Sequence, residues 1–528
     1  MKQHSVSLAS VLLLAAVGVA SIFAMPAAAK KPPKPPGPPP APPPTFGTYI
    51  RDYGVVVDGV KCDLTPEAVR ATSDGGSAVL ALSSRPSAAA SDLCRGVNWI
   101  AKLDPSGTPQ WQKLVGCFGL PPGDYANGVS LQQTADGGYV VAGGTLGCGP
   151  ETICPSQCAL VERLDAVGTL LWSHVYSSGG DDRESTLNQI RQTRDGGFVA
   201  VGSFRTADDA LGAWVLKLDG GGNVQYQRKL GPGGASGPGR VHAYLNAVDP
   251  TSDGGYVAAG ELTSYERRAE GDTGVLVVKL DASGNVAWQR GFNSFDANGV
   301  PTASEHALSI LQTADGGYLV GGNWNSTTGP GTCCRGALLL KLDTNGNTQW
   351  QKAYSGGVYC FFNGFNTTCH AIGADVYSLE SISDGGYLLA GSGDLRLTDS
   401  VPLVPWLAKA DASGNLVWQR FYYQSHPTTG RPLSQYFASS DVTSSGLLAL
   451  GFTSDPADLS GELFAVKTDD TGLVGSCSQA HPATPLNMVD PGLATIAPAL
   501  PVQATAPAQA NVPSETRSTS ISATTGQC

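Results

Sequence analysis

Thr134-Ala135-Asp136-Gly137-Gly138-Tyr139-Val140-Val141-Ala142-Gly143 is one copy of a segment that recurs along this 528-residue chain. Close copies are TRDGGFVAVG at Asp195, TSDGGYVAAG at Asp253, TADGGYLVGG at Asp315 and SDGGYLLAG at Asp384. Fainter ones sit at Asp74 (TSDGGSAVLA) and around Ser445-Gly446 (TSSGLLALG). The six turn aspartates are 62, 59, 58, 62 and 69 residues apart, and a period of this size marks a repeat architecture. Each copy has a second half: KLDPSGTPQWQK from Lys102, RLDAVGTLLWSH from Arg163, KLDGGGNVQYQR from Lys217, KLDASGNVAWQR from Lys279, KLDTNGNTQWQK from Lys341 and KADASGNLVWQR from Lys409. A seventh, KTDDTGLVGSC from Lys467, stops before its aromatic. The chain therefore holds seven units.

One unit reads as four strands. Val129-Ser130-Leu131-Gln132-Gln133 alternates apolar and polar residues, the pattern of a strand with one buried face. Asp-Gly-Gly is a tight turn, because Asp bonds the amides ahead of it and glycine accepts positive φ. Tyr-Val-Val-Ala-Gly is a small-residue strand for a crowded interior. A variable loop, a third strand such as Ala337–Leu342, an Asp-x-x-Gly-Asn turn and a fourth strand carrying Trp-Gln-Lys complete the unit. Seven four-stranded antiparallel units predict an all-β, seven-bladed β-propeller, in which ring closure hides the sheet edges.

The doubled pattern TxDGGYxxAG and KLDxxGNxxWQ, over roughly residues 47–475, resembles a group of secreted bacterial β-propeller repeat proteins. It resembles more distantly the quinoprotein-like propellers with their Asp-x-x-x-Gly-x-x-x-Trp docking motif. Asp104 and Trp111 are seven apart, one residue shorter than that motif, so the cofactor chemistry does not carry over. Thr-x-Asp-Gly-Gly also matches the first half of the sialidase Asp-box, without its aromatic end. The resemblance implies a fold and leaves the activity open.

Taken in order, residues 1–29 read as a secretory signal, with Lys2, an apolar run from Val6 to Phe23, and Ala27-Ala28-Ala29 as a cleavage site. A single-pass anchor is the alternative, but the run is short for a membrane span. Residues 30–46, opening KKPPKPPGPPPAPPPT, are a Pro-rich linker of polyproline II character, roughly 50 Å if extended. Export suits twelve cysteines (Cys62, Cys94, Cys117, Cys148, Cys154, Cys158, Cys333, Cys334, Cys360, Cys369, Cys477 and Cys528), which in an oxidising compartment are disulfide candidates. The localisation expected is periplasmic, cell-surface or extracellular, with no membrane span after signal removal. A net charge of −11 and the absence of a basic, aromatic-interleaved face argue against nucleic-acid partners.

Tyr49-Ile50-Arg51-Asp52-Tyr53-Gly54 reads as a fourth strand without a unit, and the seventh unit lacks one. The N-terminal strand is expected to complete the last blade. The strand order places the Asp-Gly-Gly and Asp-x-x-Gly-Asn turns on one rim and the long connections on the other, with ten of the cysteines. Residues 476–528 are rich in Ala, Pro, Ser and Thr and cannot form a packed core. Cys477 and Cys528 bracket this tail, and their pairing would close a loop worth ~4 kcal/mol.

Candidate sites are few. Lys102, Arg163, Lys217, Lys279, Lys341, Lys409 and Lys467 recur before the second turn, where a stem packed between blades with a locally bonded head is the simpler reading of a cationic ring. Glu67, Asp124, Glu184, Glu305 and Asp375 precede first strands but stand at unequal distances from the turn aspartates, so they form no catalytic set. No metal spacing, nucleophile elbow or phosphate loop is visible, and no cofactor is expected. Cys333-Cys334 is unusual, because some quinoproteins place a vicinal disulfide against their cofactor. Pairing of these two with Cys360 and Cys369 is the simpler reading. The one candidate ligand site is aromatic: Tyr359, Phe361, Phe362, Phe365 and His370 in one long loop, with Trp324 in the neighbouring one. The alternative is that these rings form a satellite core. The expected function is a secreted non-catalytic binding or structural propeller, contacting polysaccharide, cell wall or a surface protein on its long-loop, cysteine-rich face. The runner-up is a secreted enzyme, quinone-dependent or carbohydrate-active, which would need convergent polar groups at the channel mouth.

Overall fold

A computed structural model describes residues 48–57, 60–84, 96–116, 125–147, 156–179, 182–231, 241–264, 273–294, 302–326, 334–362, 367–394, 403–422, 434–443, 446–454, 461–474, and seven short segments between 481 and 525. The described chain is all-β and forms a seven-bladed propeller of four-stranded antiparallel blades. Blade three is representative: Glu184–Gln192 is innermost, then Phe198–Arg205, Leu211–Leu218 and, outermost, Val224–Leu230. The third strands are the driest, and Val97–Leu103 of blade one is buried at every position. Aliphatic clusters fill the spaces between neighbouring blades.

Closure follows the expected route. Tyr49–Val57 pairs antiparallel with Gly461–Thr468, Tyr49 opposite Lys467 and Tyr53 opposite Leu463. The same strand continues past the blade and pairs with the start of blade one, Val55 opposite Cys62. Closure is thus made by hydrogen bonds between the two ends of the ring.

The fourth-strand aromatics explain a second repeated letter. Each lies on the positive-φ glycine of the next blade's Asp-x-x-Gly turn. A Cβ built on Gly284 would meet Tyr226 at 2.2 Å, on Gly346 Trp288 at 2.9 Å, and on Gly414 Trp350 at 2.7 Å. Tyr49 does the same to Gly107, carrying the contact across the closure. In four blades a tyrosine farther along the outer strand donates its hydroxyl to that glycine's carbonyl: Tyr53 to Gly107, Tyr176 to Gly222, Tyr354 to Gly414 and Tyr422 to Gly472. The glycine is required twice, for φ and for closeness.

The tight turns are not confined to one rim. Blade three joins its second and third strands by Thr206–Ala210, in which the Thr206 hydroxyl donates to Asp208 and Asp209 takes φ 68°. This short Thr-Ala-Asp-Asp turn stands on the face otherwise given to long connections.

The tail is paired throughout the ring. His481–Pro482 adds to the outer strand of blade six, Asn487–Val489 to blade five, Leu493–Ile496 to blade four and Val502–Gln503 to blade three. Ala508–Asn511 adds to blade two, Glu515–Ser518 to blade one, and Ser520–Thr525 to the closing strand of blade seven. The tail makes one circuit against the order of the blades and gives each a fifth antiparallel strand. It needs no core of its own, because its backbone satisfies sheet edges that the propeller leaves outermost. Cys477 and Cys528 lie outside the described residues.

Candidate functional site

The inner strand of every blade carries a β-bulge. The register shifts at Glu67, Val129, Asn188, Asn246, Leu308, Tyr377 and Ala438. Six of these stand seven residues before the turn aspartate, and in blade seven, whose turn has no Asp, the bulge falls at Ala438. A bulge adds one unpaired residue and re-aims its side chain. Here all seven point into the central channel and line a cavity of about 310 Å³, with Pro66 and Tyr436 beside them. Inner strands run from the long-connection rim towards the Asp-Gly-Gly turns, so the bulges open on the long-connection side.

The repeat builds this ring. The last glycine of TxDGGYxxAG faces the bulge, and a Cβ there would strike the inner-strand carbonyl: 2.0 Å from Thr186 O at Gly202, 2.0 Å from Tyr244 O at Gly260, 1.8 Å from His306 O at Gly322. Amides that a bulge releases from the ladder are met by the preceding blade. Ile190 N–H donates to Ser130 Oγ at 3.2 Å, Val248 N–H to Gln189 Oε1 at 2.7 Å, and Val69 N–H to Ser439 Oγ at 3.2 Å. The positions that shape the bulge are conserved between blades, while the residue presented at its tip differs from blade to blade.

Three residues deeper lies a second ring: Arg70, Gln132, Arg191, Asp249, Leu311, Glu380 and Asp441. Some members hold blades together. Gln132 accepts from Gln192 N–H at 2.6 Å, Asp249 from Gln312 N–H at 2.8 Å and Asp441 from Ala71 N–H at 2.8 Å. Arg70 donates to Val69 O and Ser440 O and stands 3.6 Å from Glu380. Arg191 donates to Ile190 O at 3.4 Å. Burial, then the Asp441 carboxylate, raises Glu380, and burial raises Asp249.

Glu67 is the distinctive member of the outer ring. Among the described residues its carboxyl makes no hydrogen bond or ion pair, and burial pushes it up to about 8. It is therefore mostly neutral at pH 7. Burial, then Glu67, raises the phenol of Tyr436. The Tyr377 and Tyr436 rings meet edge to face with centroids 6.5 Å apart, and Tyr377 donates its hydroxyl to Asp375 at 3.2 Å. Asn188 donates to Leu245 O and to Asn246, which in turn donates to Ala307 O.

The residues singled out from sequence disperse. The recurring Lys and Arg are locked inside their blades: Lys102 lies 2.9 Å from Asp74, Lys217 2.9 Å from Asp195, Lys279 2.8 Å from Asp253, Lys341 2.9 Å from Asp315, and Arg163 and Lys409 pair likewise with Asp136 and Asp384. Lys467, whose blade lacks the aspartate, reaches Pro105 O of blade one. Of the five acids, Glu67 alone is a bulge residue. Glu184 pairs with Arg205 at 2.8 Å, Glu305 is buried against the Ser294 hydroxyl, Asp375 orients Tyr377, and Asp124 lies outside the described residues. Trp324 is half-buried against the core between blades four and five. Tyr359, Phe361, Phe362 and His370 lie on the hairpin of Thr348–Phe362 and Thr367–Ser381 that joins blades five and six, and Phe365 lies outside the described residues. That hairpin's register sets Cys360 opposite Cys369. Cys62 and Cys158 are disulfide-bonded. Among the described residues no group of three or more His, Cys, Asp or Glu is placed to hold a metal.

The sequence carried a signal for the bulge ring that motif reading passes over. It is a position fixed at seven residues before the turn aspartate and occupied by Glu, Val, Asn, Asn, Leu and Tyr in turn. No family model matches the chain, and no curated protein matches it. Among solved structures the chain is similar to one titled as the crystal structure of the exotype rhamnogalacturonan lyase YesX, at 12% identity over 81% of this chain and 86% of that one, with a TM-score of 0.28.

Proposed function

We propose that the protein is an exported binding propeller that takes its ligand at the mouth of the central channel, on the long-connection face, with no catalysis of its own. The observation that carries this reading is the bulge ring. Everything that repeats between blades serves turns, ladders and blade contacts. The bulge position, freed from repetition, faces a cavity, which is where a small set of convergent polar groups defines a ligand site. Glu67, Asn188, Asn246, Tyr377 and Tyr436 supply hydrogen-bonding groups and aromatic faces, and Val129, Leu308 and Ala438 supply an apolar wall. The aromatic hairpin from Tyr359 to His370 is a second contact on the same rim.

The test is retention of the full chain on purified polysaccharide and cell-wall fractions, compared with channel-filling variants Ala438→Trp and Leu308→Trp. The expected result is retention on at least one fraction, lost in both variants at unchanged melting temperature. A retained fraction that is indifferent to both variants overturns the channel site.

A second reading, a carbohydrate-active enzyme, draws on Glu67 itself. A carboxyl kept neutral at pH 7 has the protonation state of a general acid. Under that reading Glu67→Gln still binds the polysaccharide but no longer shortens it. Absence of any product from wild-type protein removes this alternative.

A further inference from the structure

The channel holds more acid than base. Glu67 and Glu380 line it and Asp249 and Asp441 act on Glu380 from close by, against the two guanidiniums of Arg70 and Arg191. Arg70 is committed to two carbonyls and to Glu380, and among the described residues no lysine lines the cavity. Among the described residues, the Glu67 carboxyl at the mouth has no partner, and it lies beside two tyrosine rings set edge to face. A half-buried carboxyl without a partner favours a donor or a counter-charge, and the face of an aromatic ring attracts a cation. Once Glu67 gives up its proton the carboxylates outnumber the guanidiniums, and that surplus of negative charge favours a positive ligand over a neutral or negative one.

Resting on the channel reading above, we propose that the mouth receives a positively charged nitrogen, a primary or methylated ammonium group of the ligand, between the Glu67 carboxyl and the Tyr377 and Tyr436 rings. The neighbouring groups fit that task. Asp375 accepts the Tyr377 hydroxyl and fixes that ring, while Asn188 and Asn246, tied to the backbone of the next blades, form the opposite polar wall without adding charge.

The ammonium ion makes a prediction that a neutral sugar hydroxyl does not. Burial pushes the Glu67 carboxyl up to about 8, so an ammonium ligand must displace its proton on binding near neutral pH. The full chain is titrated with n-propylammonium chloride and, separately, with glucose, by calorimetry at pH 6, 7 and 9 in two buffers of different ionisation heat. The expected result is that propylammonium binds roughly tenfold or more tightly at pH 9 than at pH 6, releasing most of one proton at pH 7. Glu67→Gln abolishes both the binding and its pH dependence, whereas Glu380→Gln, deeper in the channel, retains them.

Glucose binding that weakens above pH 8, with no response to propylammonium, overturns the proposal in favour of a polyol held by a neutral Glu67. Propylammonium binding that survives Glu67→Gln overturns it too, because the amine then sits elsewhere. Failure of both probes, with a polysaccharide fraction retained by wild type and lost in Ala438→Trp, removes the ammonium ligand and leaves the channel site standing. Indifference of that fraction to Ala438→Trp removes the channel site itself.

Discussion

The Asp-Gly-Gly turns and the bulge ring lie at opposite ends of the same inner strands, and they treat carboxylates in opposite ways. At the turns every aspartate is partnered. Burial would raise Asp315, but the Thr313 hydroxyl, the Lys341 ammonium and the Gly317 amide outweigh it and hold the acid at about 2. At the other end Glu67 has no partner among the described residues, Glu305 has only the hydroxyl and amide of Ser294, and burial pushes both up to about 8. Charge that serves the scaffold is paired within its own blade and repeated. Charge kept neutral and unpaired occurs where the blades stop resembling one another.

The largest effect should come from breaking the ring at its closure. Deleting residues 47–54 removes the fourth strand of blade seven, the Tyr49 contact to Gly107 and the Tyr53 bond to its carbonyl. Thermal unfolding of the deletion protein should lose its cooperative transition or shift sharply downward, while deleting residues 30–45 leaves it in place. Equal melting of wild type and the 47–54 deletion contradicts the hydrogen-bonded closure.

Next in size is the scaffold's own repeated contact. Trp288 packs on Gly346 and meets Tyr318 edge to face at 5.7 Å, so Trp288→Ala should cost about 3 kcal/mol in denaturant unfolding, with ligand retention unchanged in the folded protein. Lost retention at unchanged stability would instead make the fourth-strand aromatics ligand contacts.

The two ends of the strand should also give stability slopes of opposite sign. The turn acids are lower in the folded protein than unfolded, so their contribution is complete above about 3.8 and is lost as pH falls towards 2. Glu305 is higher when folded than its ordinary 4.5, so its protonated form is the stable one, and stability falls as pH rises from 4.5 towards 8. Asp315→Asn should blunt the acid limb of a melting-temperature profile and Glu305→Gln the alkaline limb. A Glu305→Gln profile that loses only its acid limb contradicts the assignment.

The sequence made the first of these ends legible and left the second obscure for a physical reason. Turns, ladders and blade contacts are chemistry done by the same residue in every blade, so Asp-Gly-Gly, Lys-Leu-Asp and Trp-Gln announce themselves as letters. The closure was readable in the same way, because Tyr49–Gly54 imitates a strand missing from blade seven. A bulge tip has no preferred letter. Its trace is a constant offset from the turn and the glycine that makes room for the backbone, which looks like a small-residue strand until the carbonyl at 1.8–2.0 Å is seen. Candidates chosen by residue type therefore included Glu67 together with Glu184 and Glu305, which do other work. The tail was opaque because its backbone pairing asks for no repeated side chain. Its hint is the prolines at 485, 491, 498, 501, 507 and 513, which fall in the sequence between successive edge strands.

The central claim is that the channel mouth is a ligand site built around an unpaired acid, and the titration of Glu67 tests it most directly. The measurement is a ¹³C NMR titration of the glutamate carboxyl carbons of the full chain, with Glu67 assigned by its disappearance in Glu67→Gln. The predicted midpoint is about 8, while a midpoint near the ordinary 4.5 would place Glu67 in open water and contradict the account.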